Sequence, residues 1–269
     1  MDTGLDAFTR FAHEDSGISH DVYAIGERGA PPVLVMHELP GLAEPAVRFA
    51  RRLSAQGFHV YLPHLFGDLL KWDALGNYRR LCVSKEFANL QANVSAPITT
   101  WLRSLTRRMS DEHGSRRVGA IGMCLTGAFA IPLVLDPWVT APVASQPAVP
   151  MSWRYAITGF GKGAWARELN VTDTELTQAA RRLETERLTL LAFRFKTDRI
   201  SVPEKIERLR EACGDRLESH TYATPWWRFV RPPHAVLTEE YDKASDASPD
   251  HPTRQALARL VSFLQEHLG

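Results

Sequence analysis

Cys124 is the residue whose setting first suggests chemistry. It lies in "GMCLTG", residues 122–127, after the apolar run "RVGAIG" and before an apolar stretch that ends at Leu135. This spacing is typical of a sharp turn between a strand and a helix, in which small residues relieve crowding around a nucleophile. The amino end of a helix favours thiolate, although a free thiol at pH 7 still needs a neighbouring base. The alternative is a small buried hydrophobe, because buried unreactive cysteine is common.

The elements that must position this turn alternate along the chain. Apolar runs rich in β-branched residues predict strands at 31–37, 58–63, 117–122, 139–145, 188–195 and 216–222. Helical patterns cover 42–56, 76–109, 124–135, 173–185, 203–213 and 252–268. The alternation predicts a parallel sheet covered by helices, since parallel strands need crossover connections.

The sequence also predicts how two of the helices begin and how many domains the chain forms. Capping boxes are expected at two helix starts, from Thr172 to Glu175 and from Ser201 to Glu204. The sequence has no internal repeat and no long Pro/Gly linker, which favours a single domain over residues 1–269.

Composition excludes several classes of function. The chain has 269 residues with 44% hydrophobic residues, and 32 Lys and Arg balance 31 Asp and Glu. A net charge of +1 leaves no electrostatic footprint for nucleic acid. The N-terminus is charged and no window reaches the roughly 18 apolar residues of a membrane span, so we expect a cytoplasmic protein without membrane contact. The three cysteines, Cys82, Cys124 and Cys213, are too scattered for a disulfide framework, so reduced thiols are expected.

Two stretches carry a resemblance to a known family. "GMCLTG" after a strand and "VLVMHELPGL" far upstream resemble the dienelactone hydrolase family of α/β-hydrolases, over about residues 20–268. The resemblance implies the α/β-hydrolase fold, a mostly parallel central sheet with helices on both faces. It also implies a nucleophilic Cys124 with Glu38 beside it, an acid at Asp198 in "RFKTDRIS", and a histidine at His234 in "RPPHAVL".

The chain order supports these positions. Cys124, Asp198 and His234 follow the nucleophile, acid, histidine order of an α/β-hydrolase. Asp198 follows the strand 188–195 and His234 follows the strand 216–222, so both belong to the sheet edge of the cysteine. Taken alone, such an aspartate is more often a turn residue, and a histidine in a proline-rich loop is more often simply exposed.

Other titratable residues compete less well for these roles. His37-Glu38 lacks the second histidine of H-E-x-x-H, because Gly41 stands there, so no metal is expected. His220 is predicted within a strand, His251 at a helix start and Asp215 in a turn, so these residues suit the catalytic roles less well. His59 and His64 flank the end of a strand without a third metal ligand.

The chain departs from the family around the substrate. Thr126 replaces a usual glycine, and Thr238 stands where an arginine is typical, which puts the clamp for a substrate carboxylate in doubt. An insertion around 146–175 predicts a lid or an altered pocket wall. Candidate replacements for the clamp are Arg79, Arg80, Arg154, Arg228 and Arg231, although most arginines are simply solvated.

The loops 146–166 and 223–235 follow strand carboxyl ends, where open α/β sheets bind ligands. Their aromatic residues either line an apolar pocket or pack the loops on the sheet: Trp153, Phe160, Trp165, Trp226 and Trp227.

The resulting hypothesis is cleavage of a small-molecule ester or lactone through a thioester acyl-enzyme, without a cofactor. His234, oriented by Asp198, removes the proton of Cys124, and the backbone amides of Leu39 and Leu125 form the oxyanion hole. For Glu38 the resemblance implies that its carboxylate holds or accepts the thiol proton in the resting state. The alternative is a salt bridge between Glu38 and an arginine.

Two other functions stay open on the sequence alone. One is a non-catalytic relative that binds a small ligand, and the other is acyl transfer or cyclisation in a biosynthetic pathway. Both a monomer and a homodimer are compatible with the sequence.

Overall fold

One sheet organises the structure, a computed structural model that describes residues 4–83, 86–87, 96–149, 161–224, 232–244 and 248–269. The strands of this described part are β1 Thr9–Asp15, β2 Ile18–Ile25, β3 Pro32–Met36, β4 His59–Pro63, β5 Val118–Met123, β6 Val139–Ser145, β7 Leu190–Phe195 and β8 Leu217–Tyr222. Their order in the sheet is β1-β2-β4-β3-β5-β6-β7-β8. β2 pairs antiparallel with β1 on one side and with β4 on the other, and the remaining pairings are parallel.

Helices fill the crossovers between the parallel strands. They are α1 Glu44–Ala55, α2 Ala74–Val83, α3 Pro97–Glu112, α4 Ala130–Leu133, α5 Lys162–Arg167, α6 Asp173–Thr185, α7 Pro203–Cys213, α8 Glu239–Lys243 and α9 Pro252–Leu268. A 3-10 helix, Cys124–Phe129, leads directly into α4. None of the helices in the described ranges is both long enough and apolar enough to cross a bilayer.

The core has two layers, because successive side chains of the central strands point to opposite faces of the sheet. Val33 and Val35 of β3 pack with apolar residues of α1 and α9, whereas Leu34 and Met36 pack on the opposite face with Trp101 and other residues of α3. All five residues of β3 are buried, as expected when helices cover both faces of a parallel sheet. The mostly parallel sheet with helices on both faces confirms the predicted fold class.

The six predicted strands are present, but the sequence patterns missed the hairpin of β1 and β2. Charged and polar residues dominate β1, which forms the edge of the sheet and is mostly exposed, so it lacks an apolar run. The prediction of one helix over 76–109 was wrong. A separate helix, α3, begins at Pro97, a residue that is favoured in a first helical turn and cannot donate within a helix interior.

The two predicted capping boxes have different outcomes. Thr172 Oγ1 accepts from the amide of Glu175 at 3.0 Å, and the Thr172 amide donates to Glu175 Oε2 at 2.9 Å, which confirms the first box. The second was wrong, because α7 begins at Pro203 with Val202 as an N-cap without a side-chain bond. The Ser201 amide instead donates to Asp198 Oδ1 at 3.0 Å.

The turn after β5 requires both of its flanking glycines. Cys124 has φ +56°, a left-handed conformation that is uncommon for residues other than glycine. A Cβ atom on Gly122 would lie 2.1 Å from the carbonyl oxygen of Thr126, and one on Gly127 would lie 2.7 Å from Pro147 Cα. The glycines therefore permit the backbone to fold back on itself and place Cys124 at the tip of the turn.

Gly122→Ala tests this close backbone packing. We expect the substitution to lower the free energy of unfolding by about 1–3 kcal/mol, as overpacking against a backbone atom does. Gly29→Ala is the matched control, since a Cβ there meets no atom within 4 Å. Urea unfolding of both variants measures the difference, and equal stability of the two would contradict the packing argument.

Candidate active site

Neighbouring parallel strands deliver polar side chains to one edge of the sheet. Glu38 follows β3, Cys124 follows β5, Gln146 follows β6 and Asp198 follows β7 by a short turn. His234 comes from the loop beyond β8. Because carboxyl ends of parallel strands share an edge, residues distant in sequence meet there.

Asp198 holds the histidine in a defined orientation. His234 Nδ1 lies 2.6 Å from Asp198 Oδ2. The other oxygen, Oδ1, accepts from the amides of Ile200 at 2.8 Å and Ser201 at 3.0 Å. The carboxylate is almost completely buried, so these three hydrogen bonds with protein groups replace those with water. With Nδ1 donating to Asp198, Nε2 is the ring nitrogen that can accept a proton.

Nε2 of His234 faces the cysteine. It is buried, and no group among the described residues forms a hydrogen bond with it. Burial lowers the pKa of the ring, but the interactions with Cys124 and with Asp198 outweigh burial and raise the pKa of His234 well above its ordinary 6.5. Cys124 itself is 8% exposed. A base and a sulfur are therefore adjacent at the bottom of the site.

Thr126, the departure from the family glycine, has a structural explanation. Its hydroxyl accepts from the Met123 amide at 3.0 Å and lies 3.1 Å from the Met36 carbonyl oxygen, to which it donates. The side chain is completely buried and ties the turn to the end of β3. This bond fixes Cys124 relative to the loop that carries Glu38 and Leu39.

Two backbone amides are available at this junction. The Leu125 amide lies in the first turn of the 3-10 helix, where donors have no partner within the helix. The Leu39 amide donates no turn or loop hydrogen bond to the described residues. Their assignment to an oxyanion hole stays a prediction.

Glu38 is bound by neutral donors and not by the thiol. Its Oε1 accepts from Gln146 Nε2 at 2.6 Å and its Oε2 accepts from Thr238 Oγ1 at 2.9 Å. No hydrogen bond joins it to Cys124, and no described arginine forms a salt bridge with it. Burial raises the pKa of this carboxyl, and the nearby His234 charge opposes that rise.

His37 has a structural role beside these groups. It is completely buried, its Nε2 accepts from the Leu65 amide at 3.1 Å, and its Nδ1 lies 3.0 Å from the Glu38 carbonyl oxygen. Burial lowers the pKa of His37 to about 3, so the ring is neutral. No group of three or more His, Cys, Asp or Glu side chains in the described ranges is arranged for a metal.

The predicted substrate-binding residues have mixed outcomes. Arg80 forms a surface ion pair with Asp68, with Nη1 3.0 Å from Oδ1, and Arg79 is exposed on the same helix. Trp153 and Trp227 lie outside the described residues, as do Arg154, Phe160, Trp226, Arg228 and Arg231. Trp165 is described, and its Nε1 donates to the Val149 carbonyl at 3.0 Å, which packs the insertion against the end of β6.

A cavity of about 400 Å³ lies at the opposite, amino end of the parallel strands. Its lining includes His59, Tyr61 and His113. His59 Nδ1 lies 3.0 Å from His113 Nε2, and burial lowers the pKa of His59 to about 4. These neutral rings satisfy one another across β4 and α3, in agreement with a structural or polar role for His59.

Sequence reasoning passed over two residues at the catalytic edge. Gln146 is completely buried directly after β6, and its place at a strand's carboxyl end was a usable signal. Trp72 is 59% exposed and lines a small hollow with Glu38 and Glu239. It belongs to the loop between β4 and α2, which had no strong motif.

The turn at Cys124, Asp198 and His234 lie at one edge of a mostly parallel sheet, as in the α/β-hydrolase fold. The model of the dienelactone hydrolase family matches residues 21–158, slightly more than half of the chain. The chain belongs to the dienelactone hydrolase family and is, by that membership, a hydrolase.

Solved structures share the fold at low sequence identity. A Klebsiella pneumoniae protein described as a candidate dienelactone hydrolase has 16% identity and a TM-score of 0.59, with 97% of this chain and 100% of that chain covered. An esterase of Pyrococcus furiosus has 13% identity and a TM-score of 0.59, with 100% and 95% covered. A cold-adapted esterase from an Arctic intertidal metagenomic library has 13% identity and a TM-score of 0.61, with 97% and 93% covered. No curated protein matches the sequence.

The raised pKa of Glu38 predicts a cost in stability. Because the folded state binds this proton more tightly than the unfolded chain, Glu38 reduces the free energy of unfolding as the pH rises above its ordinary 4.5. Glu38→Gln stays neutral and can bond both Gln146 and Thr238. We expect the free energy of unfolding of the variant at pH 7 to exceed that of wild type by about 0.5–2 kcal/mol. This gain is typical when a residue that lowers stability at a functional site is replaced.

Chemical denaturation of wild type and Glu38→Gln between pH 4 and pH 8 measures this difference. The gain should shrink as the pH falls toward 4.5. A difference that is constant across this range would contradict a raised pKa for Glu38.

Proposed function

We propose that the protein hydrolyses a small carboxylic ester or lactone through Cys124, His234 and Asp198. The observation that carries the proposal is the His234 ring, which Asp198 holds at 2.6 Å with its buried Nε2 left for the sulfur. A histidine oriented by a buried acid beside a nucleophile is the arrangement that acyl transfer requires.

The first half of the reaction forms a thioester. His234 takes the thiol proton, and the Cys124 thiolate attacks the carbonyl carbon of the ester. The C–O bond to the alcohol then breaks, and the imidazolium returns the proton to the departing oxygen. For a lactone the alcohol stays attached to the acyl group.

The second half releases the acid. His234 removes a proton from a water molecule, whose oxygen attacks the thioester carbonyl carbon. The C–S bond then breaks, and the imidazolium returns its proton to the sulfur, which restores the Cys124 thiol. The Leu39 and Leu125 amides stabilise the negative oxygen of both tetrahedral intermediates, with about 3 kcal/mol of barrier for each such donor. Asp198 keeps Nδ1 protonated and stabilises the imidazolium without accepting its proton.

The comparisons support the class of substrate. Esterases from Pyrococcus furiosus and from an Arctic metagenome share this fold over nearly the whole chain. The family match includes Glu38 and the Cys124 turn. Asp198 and His234 lie beyond that match, so their roles rest on the geometry of the site.

Cys124→Ala should abolish ester hydrolysis. We expect kcat/KM for 4-nitrophenyl acetate to fall by at least about a thousandfold, as the loss of a nucleophile does, with the midpoint of thermal unfolding little changed. Cys213→Ala is the matched control, because Cys213 is buried in α7 away from the site. Intact mass of the quenched wild type should show an acyl adduct, and peptide mapping should place it on Cys124.

An active alanine variant would remove Cys124 as the nucleophile. Neither turnover nor an adduct in wild type would favour a protein that binds ligands without catalysis. An adduct that is resolved faster by added alcohols or amines than by water would favour acyl transfer.

Alkylation should also distinguish Cys124 from Cys213. Burial raises the pKa of Cys213 to about 11, whereas Cys124 lies beside the His234 base. We expect iodoacetamide at pH 7 to modify Cys124 at least about a hundredfold faster than Cys213, since reactivity follows thiolate character. Mass spectrometry of timed digests measures both rates, and preferential labelling of Cys213 would contradict an activated Cys124.

A further inference from the structure

The hydrogen bonds of Glu38 all come from uncharged side chains. Gln146 Nε2 donates to Oε1 at 2.6 Å and Thr238 Oγ1 donates to Oε2 at 2.9 Å. Both donors are completely buried. Both donors favour the ionised form of Glu38 against the effect of burial, and neutral donors do this without cancelling its charge.

Gln146 is fixed so that its NH₂ group faces Glu38. Its Oε1 accepts from the Ser145 hydroxyl and from the Val236 amide at 3.4 Å. Its backbone is left-handed, with φ +33°, and its own amide donates to the Phe193 carbonyl at 2.6 Å. One side chain therefore connects the end of β6, the loop of Glu38 and the backbone two residues after His234.

Glu38 forms no ion pair with a described arginine or lysine. The charged groups that act on it most strongly are His234, which favours its ionised form, and Glu239 of α8, which opposes it. The same histidine interacts with Cys124 and with Asp198. Arg80, a candidate clamp, is instead paired with Asp68 on the surface.

We propose that Gln146 and Thr238 hold Glu38 as a fixed negative charge beside His234 and Cys124, and that this charge selects neutral esters and lactones over those that carry a carboxylate. The inference rests on the proposed ester hydrolysis and adds the class of substrate. Gln146 and Thr238 are positioning residues, and Glu38 determines specificity.

Coulomb repulsion is the physical basis of this selection. A substrate carboxylate would enter a partly buried site that already holds Glu38, which forms no salt bridge with a described arginine or lysine, whereas Glu239 is paired with Lys243 at 2.8 Å. Like charges in a protein environment repel far more strongly than in water. A neutral ester of the same shape meets no such penalty.

A matched pair of substrates isolates the charge. 4-Nitrophenyl pentanoate and the 4-nitrophenyl monoester of glutaric acid differ at the chain end, a methyl group against a carboxylate. We expect wild type at pH 7 to prefer the neutral ester in kcat/KM by at least about tenfold, and Glu38→Gln to lose most of that preference. Arg80→Ala is the control, and it should leave the ratio of the two substrates unchanged.

The roles of Gln146 and Thr238 are tested by measuring, as a function of pH, the ratio of kcat/KM for the two esters. Thr238→Val removes a hydrogen bond to the ionised carboxylate, so Glu38 should ionise at higher pH than in wild type. The preference for the neutral ester should then appear about one pH unit higher. Gln146→Met should shift the profile in the same direction, and Thr238→Ser should return it toward wild type.

Thr140→Val controls for the loss of a buried hydroxyl. Thr140 lies near the amino end of β6, the strand whose carboxyl end precedes Gln146. Its hydroxyl donates to the His267 carbonyl at 3.3 Å. It should not shift the profile. Circular dichroism and thermal unfolding show whether each variant is folded at the temperature of the assay.

The outcomes separate this inference from the proposed function. If wild type hydrolyses neither ester and forms no adduct on Cys124, the proposed function fails. If it hydrolyses both equally, or if Glu38→Gln keeps the full preference, hydrolysis stands and the role of Glu38 is wrong. A profile that is unmoved by both Thr238→Val and Gln146→Met would overturn the positioning role of the two donors.

Discussion

The left-handed backbone at Cys124 is the constraint from which the site follows. A φ of +56° turns the chain from β5 directly into a helix, and the backbone of Thr126 then comes so near Gly122 that no side chain fits there. Such strain persists when the surroundings over-determine it. Here Thr126 bonds the turn to the end of β3, and the completely buried strands on both sides prevent it from relaxing.

The acid and the histidine depend on a second set of bonds. Asp198 uses one oxygen for the backbone of its own turn and the other for His234. The loop of His234 is in turn connected to β6 by Gln146, whose side chain bonds the Val236 amide. The site is thus held by hydrogen bonds between strand ends, and each strand end is fixed by the sheet.

Glu38 shows how a family position acquires a different environment. A carboxylate in this place costs free energy to bury, and in this protein neutral donors satisfy both of its oxygens. The resemblance implied that Glu38 partners the thiol proton, but the structure places Gln146 and Thr238 around it. Thr238 gives the carboxylate an uncharged hydrogen-bond donor at a place where an arginine would form an ion pair.

The sequence by itself determined the frame of the protein. Continuous apolar runs marked the parallel strands β3 to β7 because both faces of that part of the sheet are buried, whereas β8 at the edge is largely polar and has no buried residue. "GMCLTG" marked the turn because no larger residue fits in place of its glycines. The resemblance and the chain order then pointed to Asp198 and His234. The edge hairpin was missed, since exposed strands need no apolar run.

Tertiary structure alone decided the surroundings of these residues. Gln146 and Thr238 are 92 positions apart and meet at Glu38 because β3 and β6 flank β5 in the sheet. Arg80 was a plausible clamp by residue type, but packing of α2 directs it to Asp68 on the surface. The pattern of residues in a short segment predicts which side chains are buried and where the chain turns. The hydrogen-bond partners of a buried polar group depend on the order of the strands in the sheet, which a short segment of sequence does not specify.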